Sequence, residues 1–217
     1  HYRQKYGGTI KEFLDGYYHQ HINCQHPLTL TFAVGGAGAQ RDLAKDILFS
    51  LKEKILKNEI NLNLVAGSRN DVYKFFSNLI RKFGLKGQLD KNLHIIFDMD
   101  KEIYFQKFNE SLRSTDVLWT KPSELSFYTA LGLPIIMAPS IGSQEEYNRE
   151  WLTKVGGGLF QRDPRYTHEW FFDWINSGWL AEAAMSGFLD GRQFGVYNIK
   201  QVIFEGISSP AKNYQLL

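Results

Sequence analysis

Short apolar runs alternate along this chain with longer stretches in which apolar residues recur every three or four positions. Residues 28–34, Leu-Thr-Leu-Thr-Phe-Ala-Val, form a β-rich run of strand length. Leu43, Ile47, Leu51 and Ile55 then follow at a spacing of four, with Ala44 and Leu48 beside them, and predict one apolar helix face. Residues 60–66 read as a second strand. The next helix carries Val72, Phe75, Phe76, Leu79, Ile80 and Phe83 and is closed by Gly84 and Gly87. The same alternation predicts strands over 93–97, 116–119, 134–138 and 157–160. Helices are predicted over 103–112, 123–131 and 144–155, and an aromatic, helical tail over 163–198.

Strands that alternate with helices imply an α/β domain: a Rossmann-like, doubly wound parallel sheet of about six strands with helices on both faces. Residues 28–217 form this domain. Residues 1–27 form a lead-in, with Ile10, Phe13, Leu14 and Tyr17 on one face of an expected helix over 9–20. Ligands of such sheets bind beyond the carboxyl ends of the strands. The loops to read are therefore 35–40, 67–70, 98–102, 120–124 and 139–146.

Composition narrows the classes. The 217 residues are 43% hydrophobic and 22% charged, which suits a packed core rather than disorder. The net charge of +2, with no basic stripe, gives no footprint for nucleic acid. The single cysteine, Cys24, excludes an internal disulfide framework and suits a reducing, cytoplasmic setting. His19, His21 and His26 lie near it, in a stretch that ends at Pro27 and reads as a linker, so no metal site is expected. No run of eighteen apolar residues is present, and no signal peptide is visible. The chain opens on His1, so a preceding partner domain is expected.

The loop Gly35-Gly36-Ala37-Gly38-Ala39-Gln40 follows a strand and precedes a helix. Small residues let backbone N–H groups approach an anion, and the helix dipole favours a phosphate there. No Lys-Ser/Thr follows the last glycine, so it is not a Walker A loop. Arg41 stands where a dinucleotide fingerprint carries its third glycine, and no acidic residue closes the second strand, which argues against NAD. In Thr120-Lys121-Pro122-Ser123-Glu124, Lys121 is placed to neutralise a diphosphate and Glu124 to accept from ribose or sugar hydroxyls. Gln144 and Asn148, four apart, share a helix face, and two amides there offer donors and acceptors to a sugar.

Taken in order, Thr120 to Glu124, then Ala130-Leu131-Gly132-Leu133-Pro134, then Gln144-Glu145-Glu146-Tyr147-Asn148 resemble the C-terminal domain of GT-B glycosyltransferases. The branch they are most similar to holds the lipid-II-forming N-acetylglucosaminyltransferase and the monogalactosyldiacylglycerol synthases. Gly67-Ser68-Arg69-Asn70 looks like that branch's Cys-Gly-Arg-Asn turn. The resemblance spans residues 28–158. It implies that backbone near Met99 and Asp100 holds the nucleotide base, often uracil. It implies that Gly38, Ala39 and the turn Thr120, Lys121, Pro122 and Ser123 face the diphosphate, that Gln144 and Asn148 face the sugar, and that Gly35, Gly36, Ala37, Gln40, Arg69, Glu124 and Glu145 belong to the same donor-binding set. One departure stands out: Phe127 occupies the place of the family's ribose-binding glutamate, which leaves two alternatives open: Glu124, one helical turn earlier, takes that role, or the donor differs.

The resemblance implies the donor-binding half of an enzyme that moves a sugar from a nucleotide diphosphate, with UDP the leading candidate, to an acceptor that can be lipid-linked. It implies no bound metal or cofactor. The acceptor and general base would come from an N-terminal domain, which would also make any peripheral membrane contact. Two alternatives stay open: a nucleotide-sugar 2-epimerase, and a non-catalytic nucleotide-binding or regulatory module on the same fold.

Overall fold

The computed structural model describes residues 27–35, 38–123, 125–191 and 195–206. Strands β1 (Thr29–Ala33), β2 (Asn61–Gly67), β3 (Leu93–Phe97), β4 (Val117–Thr120), β5 (Ile135–Met137) and β6 (Gly158–Phe160) form one sheet in the order β3-β2-β1-β4-β5-β6. Every pairing is parallel. The strand order reverses between β1 and β4, whose register sets Leu30 against Val117. That crevice is where a sheet of this kind accepts ligands.

The helices are α1 (Leu43–Leu56), α2 (Asn70–Lys82), α3 (Lys101–Leu112), α4 (Leu125–Ala130), α5 (Ser143–Val155), α6 (Thr167–Ser177), α7 (Trp179–Asp190) and α8 (Gly195–Glu205). Side chains alternate across a strand. Leu30 and Phe32 of β1, Leu62 and Leu64 of β2 and Trp119 of β4 thus share one face. They cluster with Ile47, Leu48 and Leu51 of α1, Val72 and Phe76 of α2, and Trp170, Phe171 and Trp174 of α6. The opposite face carries Val65, Ile96, Ile135 and Met137 under α3, α4 and α5, through Phe108, Leu125 and Leu152. Each fully buried side chain of this size contributes about 1.5–3 kcal/mol relative to exposure.

Polar residues inside the sheet find partners there. Asn63 Nδ2 donates to Thr31 Oγ1 at 3.0 Å, and the Thr31 and Thr115 hydroxyls are 2.7 Å apart. Asp116 accepts from the Thr29 N–H at 2.8 Å, which pins β1 to the start of β4. Three of the five tryptophans are core: Trp119 meets Trp170 at 5.2 Å between ring centroids, and Trp170 meets Trp174 at 4.6 Å.

The doubly wound parallel sheet and its six strands match the expectation, with boundaries moved by one or two residues. One start differs more. The glycine turn does not open α1 directly, because residues 39–42 make a tighter lead turn of i→i+3 bonds, such as Leu43 N–H to Gln40 C=O at 3.1 Å. The aromatic tail is helical as read and continues to Glu205 in α8, where Val196, Ile199, Val202, Ile203 and Phe204 are exposed. The expected helix over 9–20, Cys24 and the three nearby histidines lie outside the described residues, as do Gly36, Ala37 and Glu124.

Candidate functional site

The site begins at the end of β1. Gly35 and Gly38 take φ of +73° and +65°, a region that favours glycine, and the Gly38 N–H donates to the Gly35 carbonyl at 3.0 Å. A side chain at either position would also collide. A Cβ on Gly35 would lie 2.5 Å from Lys121 Cε, and one on Gly38 would lie 2.9 Å from Val72 Cγ2 and 3.5 Å from Arg69 Nε. The glycine turn is therefore flanked by the stem of Lys121 on one side and by Arg69 on the other.

Both cations are held by carboxylates. Lys121 Nζ is 2.7 Å from Glu145 Oε1, and these side chains are only 18% and 12% exposed. Glu145 Oε2 accepts from the Ile141 N–H at 2.8 Å, reaching back past the start of α5 in the manner of a capping box. Burial works against the charge of Glu145, but the bonds from Lys121 and Ile141 outweigh it and hold the carboxyl below the usual glutamate range. On the other side, Arg69 Nε is 3.2 Å from Asp71 Oδ1, and Arg41 Nη1 is 2.8 Å from Asp71 Oδ2. The hydrogen bonds from Arg69 lower the Asp71 carboxyl in turn.

Beside this turn, at the carboxyl ends of β1, β2 and β4, lies a cleft of about 490 Å³. That volume falls within the range of small-molecule sites, about 300–1,000 Å³. Ala33, Val65 and Ala66 form its floor; Gly35, Ser68, Arg69, Thr120 and Ser123 form its polar rim. The far wall is one face of α3, with Lys101, Tyr104, Phe105 and Phe108 spaced i, i+3, i+4 and i+7, joined by Tyr128 of α4. Its rings form a ladder: Phe105 to Tyr104 at 5.3 Å, Tyr104 to Phe108 at 5.9 Å and nearly parallel, Phe108 to Tyr128 at 6.3 Å. Phe127 continues it at 5.4 Å from Tyr128. Among the described lining residues there are two cations and no carboxylate. Such a cleft suits a ligand with a planar ring and an anionic group.

The expected site residues divide. Gly35, Arg69, Thr120 and Ser123 line the cleft, and Lys121 lies across Gly35. Gln40 is buried and donates to the Pro139 carbonyl, joining the glycine turn to the β5–α5 loop, while Ala39 is exposed in the lead turn. Asp100 caps α3, its Oδ1 accepting from the N–H groups of Glu102 and Ile103 at 2.8 and 3.2 Å. Met99 beside it is 74% exposed. Asn148 donates to the Pro122 carbonyl at 3.0 Å and so ties α5 to the 120–123 turn, while Gln144 is exposed on the first turn of α5. The α3 wall was not read from the sequence as part of a site. Its signal is present, since Lys101, Tyr104, Phe105 and Phe108 make an aromatic and basic face on the helix that follows the 98–100 loop.

Among the described residues, no group of three or more His, Cys, Asp or Glu is placed to hold a metal, and no helix is long and apolar enough to cross a membrane.

A family model described as "Domain of unknown function (DUF6938)" matches residues 18–198. No curated protein matches the chain in sequence. Among solved structures, MurG of Acinetobacter baumannii superposes with a TM-score of 0.60 at 16% identity, over 83% of this chain and 50% of that one. A putative UDP-N-acetylglucosamine 2-epimerase of Listeria monocytogenes gives 0.56 at 12% identity, over 91% and 51%. Anabaena HepE, solved with UDP and glucose, gives 0.53 at 13%, over 91% and 50%. The fold is that of the GT-B C-terminal domain, and the chain spans about half the length of these structures.

Proposed function

The chain belongs to the family described as "Domain of unknown function (DUF6938)", and we propose that it is the donor-binding domain of a sugar transferase whose donor is a nucleoside diphosphate sugar, with UDP the first candidate. One observation carries this reading: the glycine turn at the strand-order reversal is flanked by Lys121 and Arg69 and opens onto a cleft walled by aromatic rings. The turn's N–H groups and the two cations suit a diphosphate. The ring ladder suits a base, which stacks without needing a unique hydrogen-bond pattern. The fold's likeness to MurG and to HepE, the latter solved with UDP, is consistent with this assignment.

The chemistry follows from the arrangement. As the sugar–phosphate bond breaks, positive charge grows on the sugar and negative charge on the departing diphosphate. In this reading Lys121 and Arg69 stand where that charge develops, and preorganised groups stabilise it without reorganising. In this reading no metal is needed to meet the diphosphate charge. The acceptor and its general base belong to an N-terminal domain that would close over the cleft, with any membrane contact made there. The single cysteine suits a cytoplasmic setting.

The 2-epimerase reading rests on the same fold. It needs a carboxylate aimed at the sugar, for which Glu124, Glu145 and Glu146 are the candidates; Glu124 lies outside the described residues, and Glu145 and Glu146 are engaged by Lys121 and Arg149, each at 2.7 Å. We therefore favour transfer. The test is a UDP-sugar assay with the N-terminal half restored. Sugar release that depends on an acceptor supports the transferase. Inversion at the sugar without an acceptor supports the epimerase. Nucleotide binding without turnover supports a regulatory module.

A further inference from the structure

The cation that flanks the glycine turn is already neutralised. Lys121 is pressed against Gly35 along its stem, so its ammonium has little freedom, and Glu145 occupies it at 2.7 Å in a setting that is largely closed to water. Glu145 is itself fixed by the Ile141 N–H through its second oxygen. An anion that reaches Lys121 must therefore share the ammonium with a carboxylate or take it over, and two anions on one cation repel strongly in a partly dehydrated site. Asp71 stands in the same relation to Arg69, but it is about half exposed, so water screens it. The asymmetry singles out Glu145.

We infer that Glu145 is a built-in competitor for the phosphate subsite: it holds Lys121 in place while the cleft is empty, and it sets how much negative charge a ligand must bring to displace it. This rests on the donor-site reading and adds a selectivity rule to it. A diphosphate carries enough charge to win Lys121 from Glu145, whereas a single phosphate competes poorly. The carboxylate thus disfavours monophosphates and inorganic phosphate at a site whose glycine turn and cations would otherwise accept them. Glu145 is here a positioning and selectivity residue, acting on the ligand through Lys121.

The test is a calorimetric titration of the full chain with UDP, UMP and inorganic pyrophosphate, for the wild type, Glu145→Gln, Lys121→Met and the double variant. Glutamine keeps an acceptor for the Ile141 N–H while removing the charge. The expected result is that Glu145→Gln binds pyrophosphate and UDP about ten-fold more tightly. UMP gains more than UDP does, so the preference for UDP over UMP shrinks. The gain disappears when Lys121 is already Met, as a specific coupling requires. Equal or weaker binding by Glu145→Gln overturns the inference. So does a gain that persists in the Lys121→Met background, which would mark a general field effect. If the wild type takes no nucleotide, the donor-site reading fails. The inference is then judged on pyrophosphate alone, and absence of binding by both wild type and Glu145→Gln overturns it too. Should Glu145→Gln fail to fold, Glu145→Asp lengthens the pair and is expected to give a smaller gain of the same sign; no gain overturns the inference.

Discussion

Lys121, at the end of β4, and Gly35, at the end of β1, are matched to one another: the lysine stem fills the space that any Cβ on Gly35 would need, 2.5 Å from Cε. Neither residue alone marks a site. Together they fix a cation against a turn whose backbone takes a left-handed conformation that favours glycine, at the place where the sheet reverses its strand order.

Gly35→Ala is therefore expected to act twice. The positive φ costs the alanine about 1–2 kcal/mol of stability, and its methyl group pushes Lys121 off the turn. Chemical denaturation should show that loss, and titration with UDP should show at least a ten-fold loss of affinity.

Phe105, 56% exposed at the mouth of the cleft, should separate base from phosphate. Phe105→Ala is expected to weaken UDP by about 1–3 kcal/mol, the scale of one stacking contact, while leaving pyrophosphate affinity unchanged. Parallel calorimetric titrations with the two ligands check this, and an equal loss for both would remove the α3 wall from the base subsite.

Glu145 gives a pH prediction. Its carboxyl is held below the reference value of 4.5 in the folded chain. A lowered pKa stabilises the fold above the unfolded-state value and loses that contribution as pH falls through the folded-state value. The melting temperature should fall as the pH drops below about 4.5. In Glu145→Gln the same drop should be shallower, since glutamine does not titrate. Thermal melts across pH 7 to 3 read it directly.

Much of the fold was legible because period and burial agree. Leu43, Ile47, Leu51 and Ile55 announced the face of α1 that is buried, and the Leu30–Phe32 alternation announced the face of β1 that receives it. The loops after the strands were legible as a set, since topology alone sends them to one edge. The roles inside that set were less so, because a sequence shows residue type but not partner. Gln144 and Asn148 share a helix as read, yet Asn148 binds the Pro122 carbonyl. Asp100, whose backbone is expected beside the base, has a further role that its residue type does not disclose: its side chain caps α3. The α3 wall was missed because its rings read equally well as core, and only the tertiary fold turns that face toward the β1–β4 crevice.

Trp119 tests the packing beneath the site. It is fully buried, meets Phe32 at 6.0 Å and Trp170 at 5.2 Å, and donates to Gln161 at 2.9 Å. Trp119→Ala should cost about 3–5 kcal/mol in denaturant unfolding. A cost near zero would contradict the core described above.

A metal chelator should leave nucleotide affinity unchanged, since the cations of the proposed diphosphate subsite are Lys121 and Arg69. Titration with UDP before and after treatment with EDTA checks this, and a loss of affinity restored by a divalent ion would contradict it.

The central claim is that the cleft beside the Gly35–Gly38 turn binds a nucleoside diphosphate through Lys121 and Arg69. Calorimetric titration of the chain with UDP, set against the Lys121→Met and Arg69→Met variants, tests it most directly. Saturable one-to-one binding, weakened about ten-fold or more in each variant as the loss of a charged contact predicts, is the result this account requires. Absence of binding by the wild type to UDP and to every other nucleoside diphosphate, or binding that both variants leave untouched, would contradict it.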